Sequence, residues 1–145
     1  WQVETQPLSL TGPDNFSESK ATQLSLSFSP DHQWVASGGL DSLVHVWDAK
    51  KGQLLYSLPG HDQTIVRVIF SSDGQQVVTA GTDNTIKVWD LGRRGELFTL
   101  PLPTRKYGGD GWDFDFRCTS EKCWIVVPLE VSGKLVGYEL GKIYE

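Results

Sequence analysis

The chain of 145 residues has no methionine, two cysteines and three histidines, and its formal net charge is −5. Each scarcity removes a class of explanation. A nucleic-acid-binding face needs clustered Lys and Arg to meet phosphates, and no basic group here is larger than a pair such as Lys50–Lys51 or Arg93–Arg94. Each pair reads as a solvated turn, so no nucleic-acid partner is expected. No apolar run approaches the roughly 18 residues of a membrane helix, and no charged-then-apolar leader opens the chain. No membrane span is expected. A natural reading frame starts with Met, so the Trp1 start is read as a piece cut from a longer protein. Its compartment stays open on this reading, with the cytoplasm favoured.

The scarce reactive residues do not assemble into a catalytic set. Cys118 and Cys123 flank Thr-Ser-Glu-Lys. In a hairpin they either face each other as a disulfide or remain free thiols at a sheet edge, and the spacing lends no support to a zinc or thioredoxin-type site. His45 lies between Val44 and Val46 on an expected strand and His32 in a turn, with no carboxylate or cysteine at metal-ligand spacing. Asp113 and Asp115 share one strand face, opposite Trp112, Phe114 and Phe116. Such a pair can bind a cation or exchange protons, but an ordinary polar face accounts for it. Gly108-Gly109-Asp110-Gly111 is followed by no helix and no P-loop lysine. No cofactor, no metal and no enzymatic activity are expected.

What the chain does have is 39% hydrophobic and 11% aromatic residues, with 15 glycines. Aromatic and β-branched residues separated by Gly, Asp, Asn and Ser favour an all-β chain of short strands. A repeat organises them. Trp47-Asp48 recurs as Trp89-Asp90 at an offset of 42 residues. Sliding the chain by that offset aligns TQLSLSFSPDHQWVASGGLDSLVHVWD with TIVRVIFSSDGQQVVTAGTDNTIKVWD without a gap. In the second unit, strands are expected at 65–70, 76–80, 85–89 and 96–100, with Ser-Ser-Asp-Gly and Thr-Asp-Asn at the turns. The first unit repeats the plan at 22–28, 34–37, 43–47 and 53–58. A degenerate third has candidates at 112–116, 124–128, 134–138 and 142–145.

This period, four strands per unit, and a closing Trp-Asp preceded 28 residues earlier by Gly60-His61 resemble the WD-repeat family. The resemblance implies an all-β fold of β-propeller blades, each a four-stranded antiparallel meander, in an incomplete ring of about three blades. It implies an outer strand of a preceding blade at 3–10, blades at 22–58 and 64–100, and a degenerate blade at 112–145. Ring closure is expected from missing N-terminal blades or from self-association. The family's buried hydrogen-bond network maps onto His61, Thr79, Asp83 and Trp89. The first unit keeps Ser37, Asp41 and Trp47, but Ser19 stands where the histidine belongs, so an incomplete network and a more mobile loop are expected there.

The resemblance also implies a partner-binding face built from the loop before each first strand and the turn before each third strand. The matching positions are Thr22, Leu24 and Leu40, then Thr64, Val66 and Thr82, then Asp110 and Trp112. Trp112 is the strongest anchor by type, although packing between blades explains it as well. The function expected is a non-catalytic protein–protein interaction scaffold, the C-terminal part of a longer WD-repeat protein with other proteins as partners. The alternative is a regulatory or sensor module of a larger signalling protein or enzyme.

Overall fold

A computed structural model describes residues 22–102, 113–119, 122–129 and 134–140. Three antiparallel sheets account for them. The first has strands β1 (Gln23–Phe28), β2 (Trp34–Gly39), β3 (Leu43–Asp48) and β4 (Gln53–Pro59) in that order. The second repeats it with β5 (Ile65–Phe70), β6 (Gln76–Gly81), β7 (Thr85–Asp90) and β8 (Gly95–Pro101). The third has β9 (Asp115–Cys118), β10 (Cys123–Leu129) and β11 (Lys134–Leu140). The segments 3–10 and 142–145, Ser19 and the loop around it, Asp110 and Trp112 lie outside the described residues.

The local chemistry of the turns makes the first two sheets near-copies. Ser71 O accepts from Gly74 N at 3.0 Å, and Gly74 takes the left-handed φ of 72° that closes the β5–β6 hairpin. His32 holds the matching position at φ 58°. In both turns a serine hydroxyl donates to the carboxylate two residues on, Ser29 to Asp31 at 2.6 Å and Ser71 to Asp73 at 2.5 Å. The Asp of each Trp-Asp pair closes the next turn. Asp48 Oδ1 accepts from the amides of Lys50 and Lys51, and Asp90 Oδ1 from that of Arg93. Even the irregularities repeat, with bulges at Gln23–Ser25 and Ile65–Arg67.

The second sheet is sandwiched, which explains why β6 is buried along its whole length. Val77 and Trp89 pack toward the first sheet with Ala36, Val44, Val46 and Leu58. Val78, Ala80, Ile86 and Val88 pack toward the third with Phe114, Phe116, Ile125 and Val127. Burying one Val, Ile or Phe side chain contributes about 1.5–3 kcal/mol, so these two layers dominate the stability of the described region. Polar ties cross the same seams. Ser25 Oγ accepts from Val68 N at 3.0 Å and Ser27 Oγ from Phe70 N at 3.2 Å, occupying inward-edge amides of β5.

The third sheet departs from its expected bounds. Its first strand begins at Asp115 rather than 112, and its register places Cys123 directly opposite Cys118. The alternation of Phe114 and Phe116 into the core against exposed Asp113 and Asp115 holds nonetheless. The structure settles the cysteine alternatives in favour of a Cys118–Cys123 disulfide.

Candidate functional site

In the second sheet, a polar chain runs through the buried seam. Trp89 Nε1 donates to Thr79 Oγ1 at 2.8 Å, and Thr79 Oγ1 lies 2.7 Å from His61 Nε2. His61 Nδ1 lies 2.8 Å from Asp83 Oδ2. A carboxylate only accepts, so Nδ1 carries the proton, Nε2 is the acceptor, and the Thr79 hydroxyl donates to it. Each link fixes the polarity of the next. Asp83 is held from three further sides, by the Asp62 amide and by the amide and hydroxyl of Thr85.

The charge state follows from burial. The His61 side chain is fully buried. Burial pushes its pKa below the ordinary 6.5, against the opposing pull of Asp83. Burial also pushes the Asp83 carboxyl upward, but hydrogen bonds from Thr85, His61 and the Asp62 amide outweigh it and hold the group below its usual value. The pair is therefore a neutral imidazole on a charged carboxylate. Its partners are all internal, which suits a device that pins the loop before β5 to the β6–β7 turn.

The first sheet solves the same problem differently. Trp47 Nε1 donates to Ser37 Oγ at 2.9 Å, as in the second sheet, but Ser37 then donates to Gln23 Oε1 at 2.8 Å. Asp41 is met by His45, whose Nε2 lies 2.7 Å from Asp41 Oδ2. The sequence offers His45 no carboxylate at metal-ligand spacing, and the structure brings it one carboxylate as a hydrogen-bond partner. The turn between β2 and β3 folds Asp41 back over its own strand, so two residues four apart meet. His45 also reaches Ser57 on β4, Nδ1 to Oγ at 2.7 Å. The offset of 42 gives Lys87 and Thr99 at the equivalent places, 2.6 Å apart, with Lys87 also on Glu96 at 2.8 Å.

The expected partner-facing positions gather at one end. The Ser25–Val68 and Ser27–Phe70 bonds advance together along β1 and β5, so these strands start at the same end. There Leu40 N donates to Thr22 O at 3.1 Å, and Thr82 N to Thr64 O at 2.9 Å. Leu24 and Leu40 are 50% and 56% exposed; Thr22 and Thr82 are exposed, and Thr64 and Val66 are half-buried. Arg67 extends the end toward the third sheet through the Phe114 carbonyl and Asp113 Oδ1. Arg67 was not foreseen, although its place within an apolar strand marks it. Among the described residues, no three His, Cys, Asp or Glu side chains converge as metal ligands, and no helix is long and apolar enough to cross a membrane.

Three antiparallel sheets stacked face to face, two of them closed by a Trp-to-hydroxyl bond, define a set of propeller blades. The chain belongs to the WD-repeat family: the family described as WD domain, G-beta repeat matches residues 13–48 and 52–90, just over half of the chain. It is similar to the U3 snoRNP-associated protein-like YAO of Arabidopsis thaliana, 32% identical over 63 residues that cover 43% of this chain and 12% of that protein. It is also similar to the human (Homo sapiens) U5 small nuclear ribonucleoprotein 40 kDa protein, 44% identical over 45 residues, 31% of this chain and 13% of that one. Among solved structures, that of the RRP9 WD40 repeats superposes with a TM-score of 0.61 at 18% identity, over 84% of this chain and 39% of the other. The U3-55K structure gives 0.60 at 20% identity, over 82% and 37%. At such identity the likeness to these structures concerns the fold alone. The chain thus spans about an eighth of the length of these curated relatives and under two-fifths of the solved chains.

Proposed function

We propose that this chain is part of a non-catalytic scaffold whose docking face for other proteins is the end bearing Thr22, Leu24, Leu40, Thr64, Val66 and Thr82. The observation that carries the reading is the exposure of Leu24 and Leu40 beside Thr22 and Thr82. Apolar side chains in a hydroxyl-rich rim suit a protein partner, which buries the leucines while the rim stays hydrated. The net charge of −5 weighs against a phosphate backbone at this face. The names of two relatives refer to ribonucleoprotein particles, and this reading assigns the chain a protein-binding role in an assembly of that kind. Asp110 and Trp112, which the resemblance assigns to the same face, lie outside the described residues. Leu26 and Phe28, 60% and 55% exposed on β1, suit closure of the ring by further blades or by self-association.

Site-specific photo-crosslinking tests it. A photoreactive residue at Thr82 should capture discrete protein partners that one at Asp31, in the β1–β2 turn at the opposite end, does not. Leu40→Arg should remove those products with the unfolding midpoint unchanged. Equal capture from both positions, or capture dominated by RNA, overturns the reading.

A further inference from the structure

The first sheet brings Asp41, His45 and Ser57 into a relay that the structural network does not require. Ser37 and Trp47 are already satisfied through Gln23. The imidazole is 5% exposed and tilted against the Trp47 ring at 5.9 Å, so its plane is fixed. The Asp41 carboxylate only accepts, so it takes the proton on His45 Nε2. Nδ1 then presents a lone pair to Ser57 Oγ at 2.7 Å, and the hydroxyl donates. That is the arrangement of a hydroxyl nucleophile beside an oriented base. Ser57 sits half-buried on β4, the outer strand of its sheet, two residues after Leu55, which is 46% exposed.

We propose that Ser57 is an activated nucleophile that accepts an acyl group from a donor with a good leaving group, such as a thioester or aryl ester. His45 serves as general base and Asp41 as the positioning residue. In the step, a lone pair of Ser57 Oγ forms a bond to the acyl carbon as the Oγ–H proton passes to His45 Nδ1. The bond from carbon to the leaving group breaks, the leaving group departs with the electron pair, and His45 returns the proton to it. Serine hydroxyl plus acyl donor becomes serine ester plus the free thiol or phenol. The second sheet provides an internal contrast. There an ammonium, Lys87 Nζ, faces Thr99 at 2.6 Å, and an ammonium donates without taking up a proton.

A fluorophosphonate probe tests the chemistry, because Oγ attack on phosphorus expels fluoride and leaves a stable ester. The full chain is labelled and the modified residues mapped by peptide mass spectrometry. Ser57 should react about 100-fold faster than the exposed Ser72 or than Thr99, at the low end of what a positioned base contributes. His45→Gln should bring Ser57 to the rate of Ser72, and Asp41→Asn should slow it by about tenfold. Comparing Ser57 with Ser72 within one unaltered protein needs no variant to fold. Equal labelling of the two, or a Ser57 rate indifferent to His45→Gln in a variant with native circular dichroism, overturns the proposal.

Discussion

Thr79 stands between His61 and Trp89 with its hydroxyl committed to both, donating to Nε2 at 2.7 Å and accepting from the indole Nε1 at 2.8 Å. The residue is fully buried, so water does not substitute for either bond. Thr79→Val keeps the shape and removes both bonds, stranding a buried imidazole nitrogen and a buried indole N–H. Each unsatisfied group costs about 1–3 kcal/mol, so a loss of about 3 kcal/mol is expected in urea unfolding. Thr79→Ser should recover most of it. An equal loss for both variants would place the effect in packing instead.

The same chain of donors makes stability depend on pH. Because burial depresses the His61 pKa, the unfolded chain takes up a proton near 6.5 while the folded chain does not. Between the lower folded value and about 6.5 the unfolded state binds more protons, so stability rises with pH there. It is complete above 6.5 and is lost as pH falls toward the folded value. Asp83, also depressed, adds a further loss only below its ordinary 3.8. Unfolding midpoints measured from pH 7.5 to 5 should fall, and His61→Gln should flatten that slope. A slope retained by the variant would assign the proton uptake elsewhere.

Much of this architecture was legible because of one fact, the gapless offset from Trp47 to Trp89. It carries strands, turns and bulges from one unit to the next. Two Trp-Asp pairs and one Gly-His pointed to His61, Thr79, Asp83 and Trp89, which the structure joins. The relay of Asp41, His45 and Ser57 was not legible. Alternation along β3 says which side His45 takes, but not that the preceding turn folds Asp41 over that side. Nor does it reveal that Gln23, matched by Ile65 in the second unit, meets Ser37. In the third sheet, the aromatic alternation gave the buried face but not the strand start, which is set by the register opposite Cys123.

The seam between the first two sheets contains a pair of hydrogen bonds with a distinct readout. Ser25 and Ser27 satisfy the amides of Val68 and Phe70 on the inward edge of β5. Replacing both serines with Ala leaves two backbone donors unpaired. At about 1 kcal/mol for each lost bond, a global loss of about 2 kcal/mol is expected. Hydrogen exchange should locate it, with the Val68 and Phe70 amides losing protection ahead of their neighbours in β6. Uniform acceleration across both sheets would contradict a local role.

The disulfide joins directly opposed residues of one hairpin, separated by five in sequence. Its effect should therefore be local. Closing so short a loop in the unfolded chain contributes about 2 kcal/mol on the chain-entropy argument. Cys118→Ala with Cys123→Ala should raise exchange in β9 and β10 while leaving the Thr79–His61 network protected. Loss of protection throughout the second sheet would show that the third sheet buttresses the whole stack through Phe114 and Phe116.

Gly81 offers the sharpest test of how closely the network is fitted. A Cβ there would lie 2.5 Å from His61 Nδ1 and 2.7 Å from Asp83 Oδ1, against both partners of the bond that joins the imidazole to the turn. Neither neighbour has room to yield, because His61 is pinned by Thr79 and Asp83 by Thr85 and the Asp62 amide. Gly81→Ala therefore combines overpacking, about 1–3 kcal/mol, with the loss of a charge-assisted hydrogen bond, about 1.5–3 kcal/mol. It should destabilise at least as much as Thr79→Val, and because the burial that depresses the His61 pKa remains while the opposing pull of Asp83 weakens, the pH slope should persist. Combining it with His61→Gln should cost little more than either alone, since both remove the same bond. If the two losses simply add, the glycine is required by something other than the histidine and carboxylate it separates.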